Sequence, residues 1–320
     1  MKFAKYLTSR LLQGLLVIFL VVVLNFFIIN LAPGDPVDVL AGELGSEEYI
    51  AELKAQYGLD KPITTRLINY LSNLLKGDWG MSYKFRSPVV EVVKSRISNT
   101  LILVLSSELF AIFFGTWLGT ILARNRGSLL DKSVSNISLI IYCLPAFWIG
   151  MIFILIFAVR LHWFPSGGMM SLRTKQPPIV DLIWHLVLPW LTIVLVRLPI
   201  YIKLARSSVI EVSQEDYMTT AKAIGYGKKK SYKKYALRNA LLPIVTQAGL
   251  GLSTVFSGAL ITETVFSWPG MGLMIFNGVQ VRDYPLIMGG FLITSIMVVM
   301  GSLVVDIVYM YLDPRVVHNE

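Results

Sequence analysis

Cysteine is almost missing from this chain: Cys143 is the only one among 320 residues. That excludes an intramolecular disulfide and any multi-cysteine metal site. Its place inside an apolar run leads us to expect a small buried apolar side chain. Charge is scarce too, at 15% of residues against 55% hydrophobic, where water-soluble domains carry about 25% charged residues. An ordinary soluble domain is thereby disfavoured. No G-x-x-x-x-G-K-[ST] phosphate loop occurs. Gly225-Tyr226-Gly227-Lys228 has the wrong spacing and no strand leading into it, so the chain is not expected to hydrolyse ATP itself. H-E-x-x-H and G-x-S-x-G are also absent. The three histidines, His162, His185 and His318, are too scattered to suggest a metal site, and the first two are expected at a membrane interface.

What the chain does contain is long apolar runs. A helix needs about 20 apolar residues to cross a bilayer core. Six stretches qualify, at roughly 11–31, 98–123, 137–160, 182–204, 241–263 and 286–312. In lipid every backbone polar group must be satisfied within the segment, so these are expected to be helices. The first is longer than a signal-peptide core and no small-x-small cleavage site follows it, so we read it as a retained helix. The fold expected is an all-α integral membrane protein, one domain over 1–320.

The net charge of +9 lies in loops between apolar runs rather than in a stripe with interleaved aromatics, which disfavours nucleic acid. Lys2, Lys5 and Arg10, then Arg124, Arg126 and Lys132, then the dense group from Lys203 to Arg238 and finally Arg315 share one side. The opposite short loops hold Arg160, Arg173, Lys175 and Arg282. Eight more basic residues fall in 32–97, but long segments translocate largely regardless of charge. Both termini are therefore expected to be cytoplasmic. Trp163, Trp184 and Trp268 fall near the outer ends, where an interfacial aromatic belt is expected.

Two hydrophilic parts interrupt the pattern. In 32–97, Ser46-Glu47-Glu48 opens a helix ending near Gly58, and another begins after Pro62 and ends near Gly77. In 205–240, Ser213 precedes Gln214-Glu215-Asp216, where a hydroxyl can cap backbone N–H groups and acids suit the positive end of a helix. Gly225 and Gly227 can end that helix in left-handed conformations. Pro243 suits the first turn of the next one. Such a helix can transmit force to a cytoplasmic partner, or it can merely anchor the topology.

At this point the sequence resembles a family. Glu215-Asp216-Tyr217-Met218-Thr219-Thr220-Ala221-Lys222-Ala223-Ile224-Gly225, followed by Ala236 to Pro243, resembles the EAA loop of ABC importer permeases, and more narrowly the dipeptide/oligopeptide/nickel permeases. Leu31 to Pro36, Tyr57 to Asp60, Gly77 to Gly80, Trp163 to Pro165, Glu263 to Gly270, Arg282 to Pro285, Asp306 and Leu312 to Arg315 match further motifs in the family's order. The N-terminal pattern is similar to the B-type partner of two unlike permeases. The chain departs from the family in Thr219-Thr220-Ala221 for Glu-Ala-Ala, in a lysine-rich 228–234, in Ser302, and in Glu108 and Arg197 where small apolar residues are expected.

The resemblance implies a type I importer permease-like fold with a small helical extracytoplasmic segment between the first two membrane helices. It implies that Glu215, Asp216, Tyr217, Thr219, Thr220, Ala221, Ala223 and Gly225 lie at or near a cytoplasmic ATPase. It further implies a second related permease, two ATPase subunits that hold the ATP and magnesium, an extracytoplasmic solute-binding protein, and a peptide or other small solute, in the inner membrane of a prokaryote. No cofactor is expected on this chain. An ion-coupled secondary transporter would predict inverted repeats, and no internal repeat stands out. A non-transport scaffold gives no reason for the glycine-terminated helix.

Three charges fall inside apolar stretches: Glu108, Arg197 and Asp306. Charges there cost several kcal/mol unless they face a partner or a water-filled path. Arg197 and Asp306 lie at similar depth, about 10 Å from the cytoplasmic ends at 1.5 Å per residue, so they can pair. Glu108 is deeper and reaches Arg197 only if that side chain extends toward it. Arg197 either lines a path and attracts a substrate carboxylate, or it fixes packing as an interhelical ion pair. Asn25, Asn30 and Gln247 are further polar candidates, for the path or for interhelical hydrogen bonds.

Overall fold

A computed structural model describes residues 2–31, 37, 46–56, 58–171, 177–227 and 237–312. Several of the positions discussed above lie outside it: 32–36, Tyr57, Arg173, Lys175, 228–236 and 313–320, together with the side chains of Ala221, Lys222 and Arg238. Among the described residues the regular structure is helical, and the one β pairing is an isolated bridge between Met81 and Pro88. The helices are α1 (Lys2–Leu31), α2 (Glu47–Gln56), α3 (Ile63–Leu75), α4 (Val89–Arg124), α5 (Leu129–Cys143), α6 (Ala146–Phe153) with a π-helical continuation Ile154–Arg160, α7 (Pro178–Val212), α8 (Asp216–Ala223), α9 (Leu237–Val265), α10 (Met271–Gln280) and α11 (Tyr284–Leu312).

Segments of α1, α4, α7 and α11 are each long and apolar enough to cross a membrane, and α5 with α6 and its continuation makes a fifth if the bent pair is one span. The stretch expected at 241–263 falls within the 29 residues of α9. The stretch expected at 137–160 is not one straight helix: it bends by 100° between Cys143 and Ala146. Pro145 explains the break. A proline disfavours α geometry in the residue before it, and Leu144 is extended (φ −83, ψ 135). Pro243 lies seven residues into α9 rather than in its first turn, because the helix already starts at Leu237.

The chain divides into two compact units, one of Met1–Tyr6, Leu101–Trp268 and Met300–Glu320, the other of Leu7–Thr100 and Pro269–Val299. In the first unit, α7 packs against α5, α6 and α9. Gly119 lets α4 approach α7 closely, since a Cβ there would lie 2.5 Å from the Ile202 carbonyl oxygen. One cluster joins Leu103, Ile193 and Trp268. Trp268 is fully buried, so it belongs to the protein core and not to an interfacial belt. Trp163 and Trp184 are exposed, and the Trp184 indole donates to the Trp163 carbonyl at 2.7 Å.

His185 is likewise buried rather than interfacial. Its Nδ1 sits 2.8 Å from the Asp181 carbonyl one turn earlier. Cys143 is exposed, against the expectation of burial. In a membrane helix an apolar face can be covered by lipid, so apolar character does not dictate burial within the chain.

In the second unit, α2 opens as expected, with the Ser46 hydroxyl accepting from the Tyr49 N–H at 3.2 Å. Gly58 (φ +64) follows its end and Gly77 (φ +82) follows that of α3, conformations that suit glycine. The apolar core here joins Val89, Val92 and Val93 of α4 to Met271, Met274 and Ile275 of α10 and Leu286 of α11. Beside it lies a buried carboxylate. Asp283 accepts from the Ser82 hydroxyl at 2.6 Å and the Lys84 N–H at 2.9 Å, and from the Leu286 N–H at 3.2 Å. It thereby ties segment 82–84 to the start of α11.

Candidate functional site

The loop between α7 and α9 makes α8 from local signals. Ser213 is not its cap. The apolar α7 continues to Val212, so Ser213 closes that helix, its hydroxyl donating back to the Val209 carbonyl. Glu215 then precedes α8, placing acids at the helix end where N–H groups are unsatisfied, and its carbonyl accepts from the Met218 N–H at 2.9 Å. At the other end the Ile224 N–H bonds the Thr220 carbonyl at 3.1 Å. Gly225 then turns left-handed at φ +87, whereas Gly227 does not take a positive φ.

The exposure pattern of α8 is one-sided. Glu215, Asp216, Tyr217, Thr219, Thr220 and Ala223 are exposed, and so is Gly225. Among the α8 residues whose side chains are described, Met218 alone is buried, at 1% exposure. One polar contact supports it: the Asn239 side-chain amide, at the start of α9, donates to the Tyr217 hydroxyl at 2.8 Å. An eight-residue helix is too short to be stable alone in water. Here Met218 anchors it and the Asn239–Tyr217 hydrogen bond supports it, and its other described side chains are open to a partner.

Within the first unit the charges in α4 and α7 meet. Glu108 is fully buried, with Oε1 accepting from the Tyr201 hydroxyl and Oε2 at 3.6 Å from Arg197 Nε. That distance is an ion pair and too long for a hydrogen bond, and Oε2 has no hydrogen-bond partner. Arg197 thus does reach the deeper Glu108. Asp306, in α11, is half-buried and has interactions of its own. Gly251 of α9 closes over the cluster: a Cβ there would lie 2.5 Å from Glu108 Oε1 and 2.9 Å from the Tyr201 hydroxyl. Three helices therefore converge on one carboxylate.

Tyr201 escaped the reading of the sequence, although its position four residues after Arg197 puts both on one helix face. Asp131 escaped it as well. Its carboxylate takes a two-pronged contact from Arg206, Nε to Oδ1 at 2.6 Å and Nη2 to Oδ2 at 2.8 Å, and also accepts from the Gly127 N–H at 2.9 Å. The signal available was Ser128, which caps α5 by accepting from the Asp131 N–H at 3.2 Å and fixes where that acid points. Among the described residues no three metal-ligating side chains come together.

Comparison with known proteins gives one consistent result. The family profile described as "binding-protein-dependent transport system inner membrane component" matches residues 115–318, and its N-terminal companion matches 3–104. The chain is 36% identical to the dipeptide transport system permease protein of Escherichia coli K12, over 94% of this chain and 95% of that one. It is 34% identical to the oligopeptide transport system permease protein of Bacillus subtilis 168, over 98% and 99%. It is 34% identical to the glutathione transport system permease protein of Escherichia coli O1:K1, over 97% and 98%. Among solved structures, the MetNI methionine ABC transporter in an inward-facing form matches with a TM-score of 0.53 at 17% identity, covering 70% of this chain and 97% of that one. At that identity the likeness shows the fold.

Proposed function

This chain belongs to the binding-protein-dependent transport system inner membrane component family, and we propose that it is a permease subunit of an ATP-driven importer, supplying half of the path for di- or oligopeptides. The observation that carries the reading is α8, a glycine-terminated helix in which Met218 is buried and the other described side chains are exposed. On this reading the exposed Glu215, Asp216, Tyr217, Thr219 and Thr220, with Ala221, Ala223 and Gly225, seat in a cleft of a cytoplasmic ATPase. Closure of that ATPase on ATP moves α8, and α7 and α9 on either side of it carry the motion into the membrane.

The α7–α9 loop and both termini are then cytoplasmic, in keeping with the lysine and arginine distribution, and residues 32–97 and 264–285 face the binding protein. ATP and magnesium belong to the ATPase subunits, and this chain carries transport rather than catalysis. A second, related permease completes the path. Peptides are the solute of choice because the curated relatives named above carry dipeptide, oligopeptide and glutathione transport in their names.

Expression of the chain with its neighbouring transport genes tests the proposal. An ATPase is expected to co-purify, and vesicles containing the complex are expected to take up peptide only with ATP and the loaded binding protein. A Thr220→Cys variant is expected to form a disulfide with a cysteine placed in the ATPase cleft. Uptake driven by an ion gradient without ATP would overturn the assignment.

A further inference from the structure

We propose that a cavity between α5, α7 and α9 is an inner solute site in which the Lys203 ammonium holds the carboxylate of the transported molecule. This rests on the permease reading and names the chemistry by which the path would recognise its solute. The cavity has a volume of about 560 Å³, within the range of about 300–1,000 Å³ usual for small-molecule sites. Polar groups reach it from all three helices: Ser135, Asn136 and Tyr142 from α5, Lys203 and Ser207 from α7, and Gln247 from α9.

Its charge is one-signed and simple. No acid lines it, and two cations do, Lys203 and Arg206. Arg206 is already neutralised by the two-pronged contact with Asp131. Lys203 is exposed, and among the described residues no carboxylate is paired with it. One uncompensated ammonium therefore remains, matching a ligand with a single negative charge. An ammonium–carboxylate hydrogen bond is of the stronger, charge-assisted kind. The hydroxyls and side-chain amides around it offer both donors and acceptors, as the N–H and C=O groups of a peptide require.

A phospholipid is the rival occupant, since Lys203 lies near the end of an apolar stretch, at headgroup depth. The inward course of the cavity favours the solute. Tyr142 lies five residues inside the 137–160 stretch and Gln247 six residues inside 241–263, about 8–9 Å deep along a helix. An acyl chain would find hydrocarbon there in Leu139, Ile200 and Leu204, but it would leave Asn136 and Gln247 without partners. Polar side chains at that depth face the bundle interior or a water-filled route, and these line an open cavity.

The test uses the assembled transporter in vesicles, with binding protein preloaded with either alanyl-phenylalanine or its C-terminal amide. Wild type is expected to import the carboxylate form in preference. Lys203→Gln is expected to cut uptake of that form about tenfold or more, from the loss of a charged hydrogen bond, and to bring the two forms level. Lys203→Arg keeps the charge and is expected to keep the preference, and co-purification of all subunits checks assembly of each variant. An unchanged preference in Lys203→Gln, or none in wild type, overturns the proposal. So does a defect that appears only in vesicles containing phosphatidylglycerol and not in phosphatidylcholine, which would assign the cavity to lipid. If wild type shows no ATP-dependent uptake at all, it is the permease reading that fails.

Discussion

The helix α8 and the segment around Asp283 are both loop-borne motifs of the same family, and they are built in opposite ways. Asp283 is fully buried and binds three donors, Ser82, Lys84 and Leu286. The Ser82 hydroxyl in turn accepts from the Phe85 N–H at 3.1 Å, and the Val89 N–H bonds the Gly80 carbonyl at 3.0 Å. Removing any one partner strands others in a dry site. In α8, by contrast, Met218 is buried and its neighbours on both sides are exposed. One region is fixed by mutual satisfaction of polar groups. The other is held through Met218 and Tyr217, with its remaining described side chains exposed. The second construction suits the proposed role of α8, a part that a partner grasps and moves.

Substitutions can break or sharpen that contrast. Asp283→Ala is expected to have the largest effect on stability, about 3 kcal/mol or more, because buried donors left unpaired cost about 1–3 kcal/mol each. A fall in the Tm of the purified complex, with proteolysis within 78–88, would register it. Met218→Ala comes next, at about 2–3 kcal/mol, the low end for truncating a buried methionine. That loss should be local, seen as faster hydrogen exchange in 216–223 and as lost ATP-dependent uptake, while the Tm of the membrane bundle holds. A drop in that Tm equal to the one from Asp283→Ala would erase the distinction. Asn239→Ala removes the hydrogen bond to the Tyr217 hydroxyl and should cost about 0.5–1.5 kcal/mol, read as a modest rise in exchange in the same helix. Smallest in stability is Thr220→Arg, within about 0.5 kcal/mol for an exposed site. Its bulk on the open face should nevertheless uncouple ATP hydrolysis from uptake, and unimpaired coupling would argue against docking through that face.

Much of the fold was legible because its signals are local. Ser46, Gly58, Pro62 and Gly77 mark the ends of α2 and α3 by their own backbone chemistry, and Gly225 marks the end of α8 in the same way. Where a local signal misled, a longer-range one outweighed it. Ser213 has the composition of an N-cap, but the apolar run before it extends α7 past the point where a cap would form. Pro243 reads as a helix start, yet the chain coils upstream of it from Leu237. At the candidate site, the presence of α8 and its end at Gly225 were legible from the motif. Its anchor was not, since nothing in a run of eight residues says that Met218 has a pocket to enter.

Apolar runs, turn residues and the order of motifs are properties of consecutive residues, so the chain alone dictated an all-helical membrane protein with a punctuated helix in its basic loop. Whether Arg197 meets Glu108, whether Trp268 enters the core, and whether Arg206 or Lys203 takes the Asp131 carboxylate were decided by the tertiary structure. Those outcomes depend on the rotation and depth of helices far apart in sequence. A charge inside a membrane must find a partner or a water-filled path, but only the packing of whole helices chooses which one.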